Sequence, residues 1–595
     1  MAAVIEQRKL VQGGAFLIED LTPAEIFTPE DFTEEHRMIA ETTRQFMDNE
    51  VIPHIDDLEK HDWNLSRELI KKAADLGLIG ANIPEEYGGL GLDQTSGALI
   101  GENIGRSASF ATTLGAESGI GLLPLVYFGT DAAKEKYLSK IAAGELVTAY
   151  ALTEAGAGSD AMAGKATARL SEDGKHYVIN GEKMWITNGG FADIFVVFAK
   201  VDGDKFSAFI VERQPGLSSG AEEHKMGIKG SSTTALVLSD VKTPVENLLG
   251  EVGKGHKIAF NVLNIGRFKL GAMCIGGMKL MVQESVRYAN ERHQFGKPIS
   301  SFGAIKAKLA EQCIRTWVGE SMIYRTLGMI EAGIGAIADS KDMDARLRAI
   351  EEYAAECSII KVALSEYCDF VVDEMVQIYG GYGYSADYPA ERAYRDSRIN
   401  RIFEGTNEIN RLLIPGRLMK SAMTGKLALL PAAQALMDEV LSPQLSMPEL
   451  DEETLAVEKK LVKNAKKVAL MTLGTAAQKY MMKLADQQEI LMGVADIILD
   501  TYAMESAILR AQKLADSQGV AASERYIDMT RVFCSDAVGR IEGHAKNTLA
   551  AMSEGDELRT LLAALRRFTK LTPMNTVAAR QRIAAGVIEA NKYVY

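Results

Sequence analysis

The chain has 595 residues, of which 66 are basic and 80 acidic, and its formal net charge is −14. This length predicts roughly three or four domains, and the negative charge disfavours nucleic acid or an anionic membrane as a partner. Five scattered cysteines with no CxxC pair indicate neither a disulfide framework nor a zinc site, and no metal is expected.

The N-terminal residues contain no apolar signal core, and Glu6, Glu19 and Asp20 argue against a transit peptide. The longest apolar runs are shorter than a membrane span. A cytoplasmic, bacterial-type location is therefore expected. Residues 1–32 are interpreted as an irregular N-terminal extension.

Residues 33–149 predict a helical domain. Apolar residues recur at helical spacing from Thr33 to Pro53. A second helix is expected over 66–76, with Gly77 as its stop signal.

Residues 150–245 predict a small β domain, because the apolar period changes to that of strands. The run 176–187 is interpreted as a hairpin with its turn at Asn180-Gly181. Further strands are expected at 193–201, 206–212 and 233–240.

Residues 246–423 turn helical again, and their periodicity predicts a bundle of long antiparallel helices at 255–291, 302–333 and 345–379. Residues 424–453 hold three prolines and are interpreted as a linker. Residues 454–595 predict a further helical unit. The fold class is therefore α+β, mainly α, with an N-terminal helical domain, a middle β-barrel-like domain, a C-terminal helical bundle and an additional C-terminal helical domain.

Glu404 is the strongest candidate for chemistry. It follows Ile402 and Phe403 and precedes Gly405. Packing against the two apolar side chains is expected to raise its pKa by desolvation, which suits a general base working near neutral pH. The alternative is a surface carboxylate at a helix N-terminus, with Thr406 as the cap.

Other motifs are individually weak. The run 156–161 matches the GxGxxA dinucleotide pattern, but strand-like sequence follows it where a helix is required. Its glycines and Ser159 could instead form an anion-binding loop. The chain has no GxxxxGK[ST], HExxH or GxSxG motif, so hydrolase and metalloenzyme functions are poorly supported.

Three further side chains have two interpretations each. Trp185, beside Thr187, is either a core residue or an aromatic wall next to a planar ring. Arg267 is either half of a surface ion pair or an anion anchor facing a cleft. Arg292 is either a helix C-terminal cap or a ligand contact.

Taken together, the runs TEAGAGSD, MWITNGG, RHQFGKPI, QIYGGYGY and IFEGTNEI resemble the acyl-CoA dehydrogenase family, and specifically its very-long-chain branch. The resemblance covers residues 33–420 closely and the C-terminal helical unit more loosely. It implies a bound FAD between the β domain and the bundle.

Residue roles follow from the resemblance, motif by motif. The implied FAD contacts on the β domain are Tyr150, Leu152, Thr153, Gly158, Ser159, Trp185, Ile186 and Thr187. A second group is implied to reach the FAD of a neighbouring subunit, namely Arg292, Gln294, Phe295, Phe302, Gly303, Gln377, Ile378, Gly380 and Gly381. Thr406, Asn407 and Glu408 contact the flavin after the catalytic turn. The implied substrate contacts are Ser159, Asn264, Arg267, Phe403 and Gly405, with Asn264 and Arg267 on the CoA side.

The resemblance also implies the chemistry. Glu404 removes the α-proton of an acyl-CoA thioester, and a hydride leaves the β-carbon for the flavin. Two hydrogen bonds, from the Glu404 backbone N–H and a flavin hydroxyl, stabilise the enolate-like oxygen, and each such donor is worth on the order of 3–4 kcal/mol. The electrons pass to electron transfer flavoprotein. The alternatives are an acyl-CoA oxidase that uses dioxygen and a non-catalytic assembly protein that keeps the fold.

Three features bear on specificity and assembly. Gly115, Gly119 and Gly121 would leave room for a long acyl chain, although helix flexibility explains them equally well. The segment 424–453 is shorter and more acidic than the membrane-associating segment of mitochondrial relatives, which puts membrane association in doubt. The C-terminal unit is expected to occupy the place of a second pair of subunits, which predicts a homodimer.

Overall fold

The computed structural model describes residues 10–339, 342–441 and 453–595. An N-terminal helical layer is followed by a β-sheet domain, a bundle of long helices and a second group of helices that packs on the bundle. This order confirms the predicted fold class.

The N-terminal layer contains seven helices, of which the second is a single turn. Thr33 begins the first of them, because its side chain accepts a hydrogen bond from the His36 N–H. Two π-helical turns, Met47–Val51 and Ala116–Gly121, interrupt the layer. The helices are α1 Glu34–Phe46, α2 Ile55–Leu58, α3 Trp63–Asp75, α4 Gln94–Ile104, α5 Ala108–Gly115, α6 Leu123–Phe128 and α7 Asp131–Ala142.

The middle domain is an eight-stranded, mixed sheet. Its main path runs β6-β7-β3-β2-β4-β5-β8, and β1 pairs in parallel with β4. The path ends at β6 and β8, so the domain resembles a barrel only loosely. The strands are β1 Thr148–Ala151, β2 Thr167–Leu170, β3 His176–Thr187, β4 Ile194–Val201, β5 Lys205–Glu212, β6 Leu217–Glu222, β7 Thr233–Pro244 and β8 Leu248–Leu249.

The predicted hairpin at 176–187 is wrong. These residues form the single strand β3, which pairs along its length with β7. Asn180-Gly181 marks a bulge, and the φ of Gly181 is 147°. A Cβ on Gly181 would lie 2.7 Å from the Cβ of Ala166, so the glycine permits close approach of β2 and does not form a turn.

The bundle is built from α8 Gly255–Glu291, α9 Gly303–Gly335, α10 Met343–Glu352, α11 Ala354–Tyr379, α12 Pro389–Ser397 and α13 Asn407–Met423. A two-stranded ribbon, β9 His293–Gln294 and β10 Lys297–Pro298, joins the first two helices. The helix predicted over 345–379 is broken at Tyr353. By length and composition α8 contains a window that could cross a membrane, but 67% of that window is buried inside the protein.

The C-terminal group comprises α14 Leu429–Leu441, α15 Ala456–Tyr480, α16 Gln488–Gln518, α17 Glu524–Met552, α18 Gly555–Phe568 and α19 Thr576–Ala590. The predicted linker at 424–453 is therefore helical over α14, which buries Leu429, Leu436 and Val440. Residues 442–452 of that prediction lie outside the described residues.

Buried ion pairs join the C-terminal group to the bundle. Arg325 on α9 donates to Glu505 on α16 at 2.6 Å, and Arg510 on α16 donates to Glu320 on α9 at 2.8 Å. The described part of the N-terminal extension packs on the same helices, because Phe16 contacts the ring of Tyr502. Residues 10–32 contain three short 3-10 turns between irregular stretches, and their side chains Val11, Phe16 and Leu17 are buried in the core.

Candidate active site

Glu404 lies in a sharp turn between a 3-10 turn at Arg398–Arg401 and helix α13. Both Glu404 and Gly405 have left-handed backbone, with φ of 58° and 81°. Thr406 then caps α13 by accepting from the Ile409 N–H at 3.3 Å. The turn therefore carries both features that the sequence left open, a helix cap and a carboxylate turned inward.

The Glu404 carboxylate lies against the backbone of Gly266 on α8. A Cβ on Gly266 would sit 2.5 Å from Oε2 of Glu404. That Oε2 is buried and has no hydrogen-bond partner. Ile402, which was expected to desolvate the carboxylate, is instead 49% exposed.

Burial raises the pKa of Glu404 to about 7, and the positive charges of Arg267 and Lys361 limit the rise. The predicted direction of the shift agrees with the structure, but the desolvation comes from α8 and the cavity lining and not from Ile402. A carboxylate with this pKa is partly deprotonated at neutral pH and can both take and return a proton.

A cavity of about 560 Å³ begins at Glu404 and Phe403 and follows α8. One face of α8 lines it from Ile265 to Arg287, which is roughly 30 Å at 1.5 Å per residue. Near Glu404 this wall consists of Ile265, Gly266 and Leu270, together with the side chain of Lys269. Its far end is charged, with Glu284 and Arg287 on α8.

The opposite wall of the cavity includes the π-helical turn after α5. Gly115, Ala116, Gly119 and Leu123 line the cavity there. Gly119 departs from helical geometry, with φ −117° and ψ −105°, and a Cβ at this position would have no atom within 4 Å. The cavity thus extends well beyond the candidate base, and its largely apolar lining suits an acyl chain.

Two of the β-domain residues predicted to contact FAD, Tyr150 and Thr187, lie near Glu404. Thr187 lines the cavity, and Trp185 is 61% exposed with a left-handed φ of 58°. The hydroxyl of Tyr150 is buried without a partner, and the charge of Glu404 adds to burial in raising the Tyr150 pKa. Leu152 and Ile186 are buried, which leaves only their backbone for a ligand.

The loop that carries Thr153, Gly158 and Ser159 is open. Gly158 and Ser159 are exposed, and a Cβ on Gly158 would meet no atom within 4 Å. The loop is held by Glu154, whose carboxylate accepts from the Ala166 N–H and from Lys183 at 2.7 Å. Sequence reasoning missed this anchor, since nothing distinguishes Glu154 from other polar residues of the motif.

The second predicted group lies at the far end of α8. Arg292 follows α8, and the helical rise places it roughly 39 Å from Gly266. Phe295 is 93% exposed, while Gln377, Phe302 and Gly303 are exposed or half-buried. The residues of this group that line one surface cavity are Arg292, Gln294, Ile378, Gly380 and Gly381. Within one chain this group does not join the Tyr150–Thr187 group.

Asn264 and Arg267 are buried, and neither lines the cavity. Arg267 Nη1 donates to Asn264 Oδ1 at 2.8 Å, and its charge acts on Glu404. Their placement fits an electrostatic role on the carboxylate better than the predicted contact with the CoA part of a substrate.

Asn407 is also buried, and its amide is used inside the protein. Its Oδ1 accepts from Lys361 Nζ at 2.7 Å and its Nδ2 donates to Glu366 Oε1 at 2.9 Å. Any flavin contact at this position is left to its backbone, whereas Glu408 is exposed on the first turn of α13. Lys361 and Glu366 were missed, because they lie about 40 residues before the turn and have no motif of their own.

Comparison with known proteins supports one family throughout. Models of the acyl-CoA dehydrogenase N-terminal, middle and C-terminal domains match residues 33–145, 149–241 and 253–419. A further model, also described as an acyl-CoA dehydrogenase C-terminal domain, matches residues 464–567. Together these models cover most of the chain.

Individual similar proteins are also acyl-CoA dehydrogenases. A probable acyl-CoA dehydrogenase of Bacillus subtilis is 53% identical over 98% of both chains. The mitochondrial very long-chain specific acyl-CoA dehydrogenase of Rattus norvegicus is 34% identical over 87% of this chain and 79% of its own. A crystal structure of an acyl-CoA dehydrogenase complexed with FAD from Bacillus anthracis is 52% identical, covers 98% of this chain and 100% of its own, and superposes with a TM-score of 0.97. The chain belongs to the acyl-CoA dehydrogenase family.

Proposed function

We propose that this protein is an FAD-dependent acyl-CoA dehydrogenase that converts long-chain acyl-CoA to trans-2-enoyl-CoA in fatty acid β-oxidation, with electron transfer flavoprotein as its electron acceptor. One observation carries the proposal. A buried carboxylate oxygen without a hydrogen-bond partner, Glu404 Oε2, borders a long cavity whose lining is largely apolar.

The residues around Glu404 fit a flavin. Trp185 presents an exposed indole beside Thr187 and the cavity, and the open loop at Gly158 and Ser159 suits a pyrophosphate. The bound flavin supplies the hydride acceptor that no side chain can provide. The chain's own part is to place the thioester against Glu404, to exclude water and to accept the α-proton at the Glu404 carboxylate.

The cavity walls support the proposed preference for long-chain substrates. Gly115 and Gly119 open the channel beside α8, and the channel continues toward Arg287 without a large side chain at Gly119. The relationship to a very long-chain specific enzyme supports the same substrate class. A homodimer is part of the proposal, because Arg292, beyond the end of α8, and Gly380, beyond the end of α11, share a separate surface cavity that is too far from Glu404 to complete the site of their own chain.

The decisive experiment is anaerobic flavin bleaching with acyl-CoAs from C4 to C20. The flavin is expected to bleach fastest with long chains. Glu404→Gln is expected to keep FAD and bind acyl-CoA but to lose bleaching, while Glu557→Gln, which changes an exposed carboxylate on α18 outside the cavity, should bleach normally. Normal bleaching by Glu404→Gln would refute the assignment of the base.

The same samples separate the alternatives. If the substrate-reduced enzyme is exposed to air and forms peroxide rapidly, the protein is an oxidase. If no acyl-CoA bleaches the flavin of the unmodified protein, the non-catalytic alternative holds. Slow reoxidation by air and fast reoxidation by electron transfer flavoprotein are the expected results.

A further inference from the structure

The turn that carries Glu404 has an unfavourable backbone. A glutamate with a φ of 58° occupies a region that residues other than glycine rarely adopt. Such a conformation persists only where the surroundings impose it. The groups that impose it therefore decide how much of the time the carboxylate faces α8.

Two side chains hold the carbonyl that follows Glu404. Lys361 Nζ on α11 donates to the Gly405 O at 2.7 Å, and Asn410 Nδ2 donates to the same oxygen at 2.8 Å. Lys361 also donates to Asn407 Oδ1 at 2.7 Å. The orientation of the peptide at Gly405 is thus tied to the position of Asn407.

Asn407 is tied in turn to Glu366 and Arg411. Its Nδ2 donates to Glu366 Oε1 at 2.9 Å. Arg411 forms a two-pronged ion pair with that carboxylate, from Nη1 to Oε1 at 2.7 Å and from Nη2 to Oε2 at 2.9 Å. A planar guanidinium fixes the orientation of its partner more strongly than a lysine would.

The Nε–H of Arg411 binds a residue outside the bundle. Its Nε donates to Asp496 Oδ1 at 2.7 Å, and Asp496 is on α16, in the C-terminal group. The family model of the bundle ends at residue 419, so Asp496 belongs to the separate matched unit. His544 on α17 lies 3.9 Å from the other oxygen of Asp496.

We propose that Asp496 is a positioning residue for the reaction: through Arg411, Glu366 and Asn407, the C-terminal group holds the Glu404–Gly405 turn in its left-handed conformation. The proposal rests on the assignment of Glu404 as the base. It gives the C-terminal unit a part in catalysis besides covering the bundle.

The expected effect is on the rate and not on binding. Without the charge of the Asp496 carboxylate, the hydrogen bond from Arg411 Nε to this position is weaker, so Arg411 is held less firmly and in turn holds Glu366 less firmly. Asn407 and the Gly405 peptide then have more freedom, and the Glu404 carboxylate spends less time against Gly266. The acyl cavity is unchanged, because none of Asp496, Arg411 and Glu366 lines it.

Asp496→Asn in the full-length, FAD-loaded protein tests this. Asp536→Asn is the matched control, since Asp536 on α17 accepts from Arg580 at 2.6 Å and Arg580 also donates to Glu311 on α9 at 2.6 Å. Both substitutions weaken a bridge between the C-terminal group and the bundle, but only the first bridge leads to the catalytic turn. Asp496→Glu serves as the conservative variant.

The readouts are the rate of flavin reduction at saturating palmitoyl-CoA, the Kd of a non-reducing thioether analogue of palmitoyl-CoA, and the Tm. Asp496→Asn should slow reduction about 10- to 100-fold, the range that small misplacements of reacting groups produce, with the Kd within about twofold. Asp536→Asn should reduce at the normal rate, and Asp496→Glu should recover part of the loss.

Equal reduction rates for Asp496→Asn and Asp536→Asn, or a parallel loss of rate and binding, would overturn the proposal. If Asp496→Asn does not fold, Arg411→Lys takes its place, because it keeps the charge but loses the two-pronged pair, and the same slowing is expected. Glu404→Gln distinguishes a failure of the base assignment from a failure of the Asp496 proposal. Normal flavin reduction in Glu404→Gln refutes Glu404 as the base. An inactive Glu404→Gln together with a normal reduction rate in Asp496→Asn refutes only the positioning role of Asp496.

Discussion

The carboxylate of Glu404 and the backbone of Gly266 are in direct contact, and a Cβ on Gly266 would lie 2.5 Å from Oε2. This contact joins the turn that carries the proposed base to α8, the helix that lines the cavity proposed for the acyl chain. It removes water from one side of the carboxylate and so contributes to its raised pKa.

Gly266→Ala should therefore displace the base. The new methyl group overlaps the carboxylate, which must rotate away from the substrate position, and flavin reduction should slow about 100-fold. Alanine favours the helix, so the Tm should not fall by more than a few degrees. Stopped-flow reduction and thermal unfolding check this, with Gly539→Ala on α17 as the control, since a Cβ at Gly539 meets no atom within 4 Å. Unchanged reduction by Gly266→Ala would show that the contact does not matter.

The pKa of Glu404 also predicts a pH-dependent effect on stability. Its pKa is raised from 4.5 to about 7 on folding, so the folded state binds the proton more tightly. The protonated Glu404 therefore stabilises the folded state relative to the unfolded state. This contribution is fully present below pH 4.5 and is lost as the pH rises through 7. Glu404→Gln, which has no charge to desolvate, should thus be more stable than the wild-type chain at pH 8 by at most roughly 3 kcal/mol.

At pH 5 the difference in the free energy of unfolding between Glu404→Gln and the wild-type chain should be much smaller. Denaturant unfolding of both proteins at pH 5 and pH 8 measures the difference. Glu408→Gln is the control, because the pKa of Glu408 is lowered, chiefly by its own backbone N–H at the start of α13. If the difference in the free energy of unfolding between Glu404→Gln and the wild-type chain does not grow with pH, the Glu404 carboxylate is not buried with a raised pKa.

Gly119 should set the length of the acyl chain. Gly119→Leu places a side chain in the open part of the cavity, where no atom lies within 4 Å. Bleaching by C16 to C20 acyl-CoA should fall at least tenfold, while C8 should be affected about twofold or less. Gly539→Leu, outside the cavity, is expected to keep the wild-type profile. A uniform loss for all chain lengths would indicate that the π-helical turn itself was damaged.

Arg292 should couple FAD retention to subunit association. It lies at the far end of α8 from Glu404 and, with Gly380 and Gly381, lines a surface cavity. If these residues complete the FAD site of a second subunit, Arg292→Ala should lower both FAD content and dimer stability. Sedimentation with absorbance at the flavin band measures both quantities. A fully flavinated and active monomer is incompatible with this arrangement.

Removal of residues 430–595 should expose the outer face of the bundle. Trp317 and Arg325 on α9 are fully buried, and Arg325 loses its partner Glu505. A buried guanidinium without its carboxylate and a newly exposed apolar face favour aggregation or further association. Light scattering should find a homodimer for the full chain and larger species for the truncated one. A soluble, stable truncated dimer, or a full-length tetramer, would contradict the role given to this unit.

The sequence by itself determined the order of the helical and β units, the long helices and the position of the candidate base. Helical and strand periods are local, so they identified α8 and α9 nearly to their ends and separated the sheet from the bundle. The motif around Glu404 is also continuous in the chain. Its residues alone therefore suggested both a desolvated Glu404 carboxylate and a helix cap at Thr406.

Only the tertiary structure decided what surrounds that base. The Asn-Gly pair in β3 was read as a turn because local propensity favours it, yet pairing with β7 and the close approach of Ala166 made it a bulge. Ile402 was expected to shield Glu404, whereas Gly266, more than 100 positions earlier, does so. Lys361 and Glu366 reach the Glu404–Asn407 segment, and Asp496 reaches Arg411, only through packing of separate helices. No local pattern encodes contacts between residues so far apart along the chain.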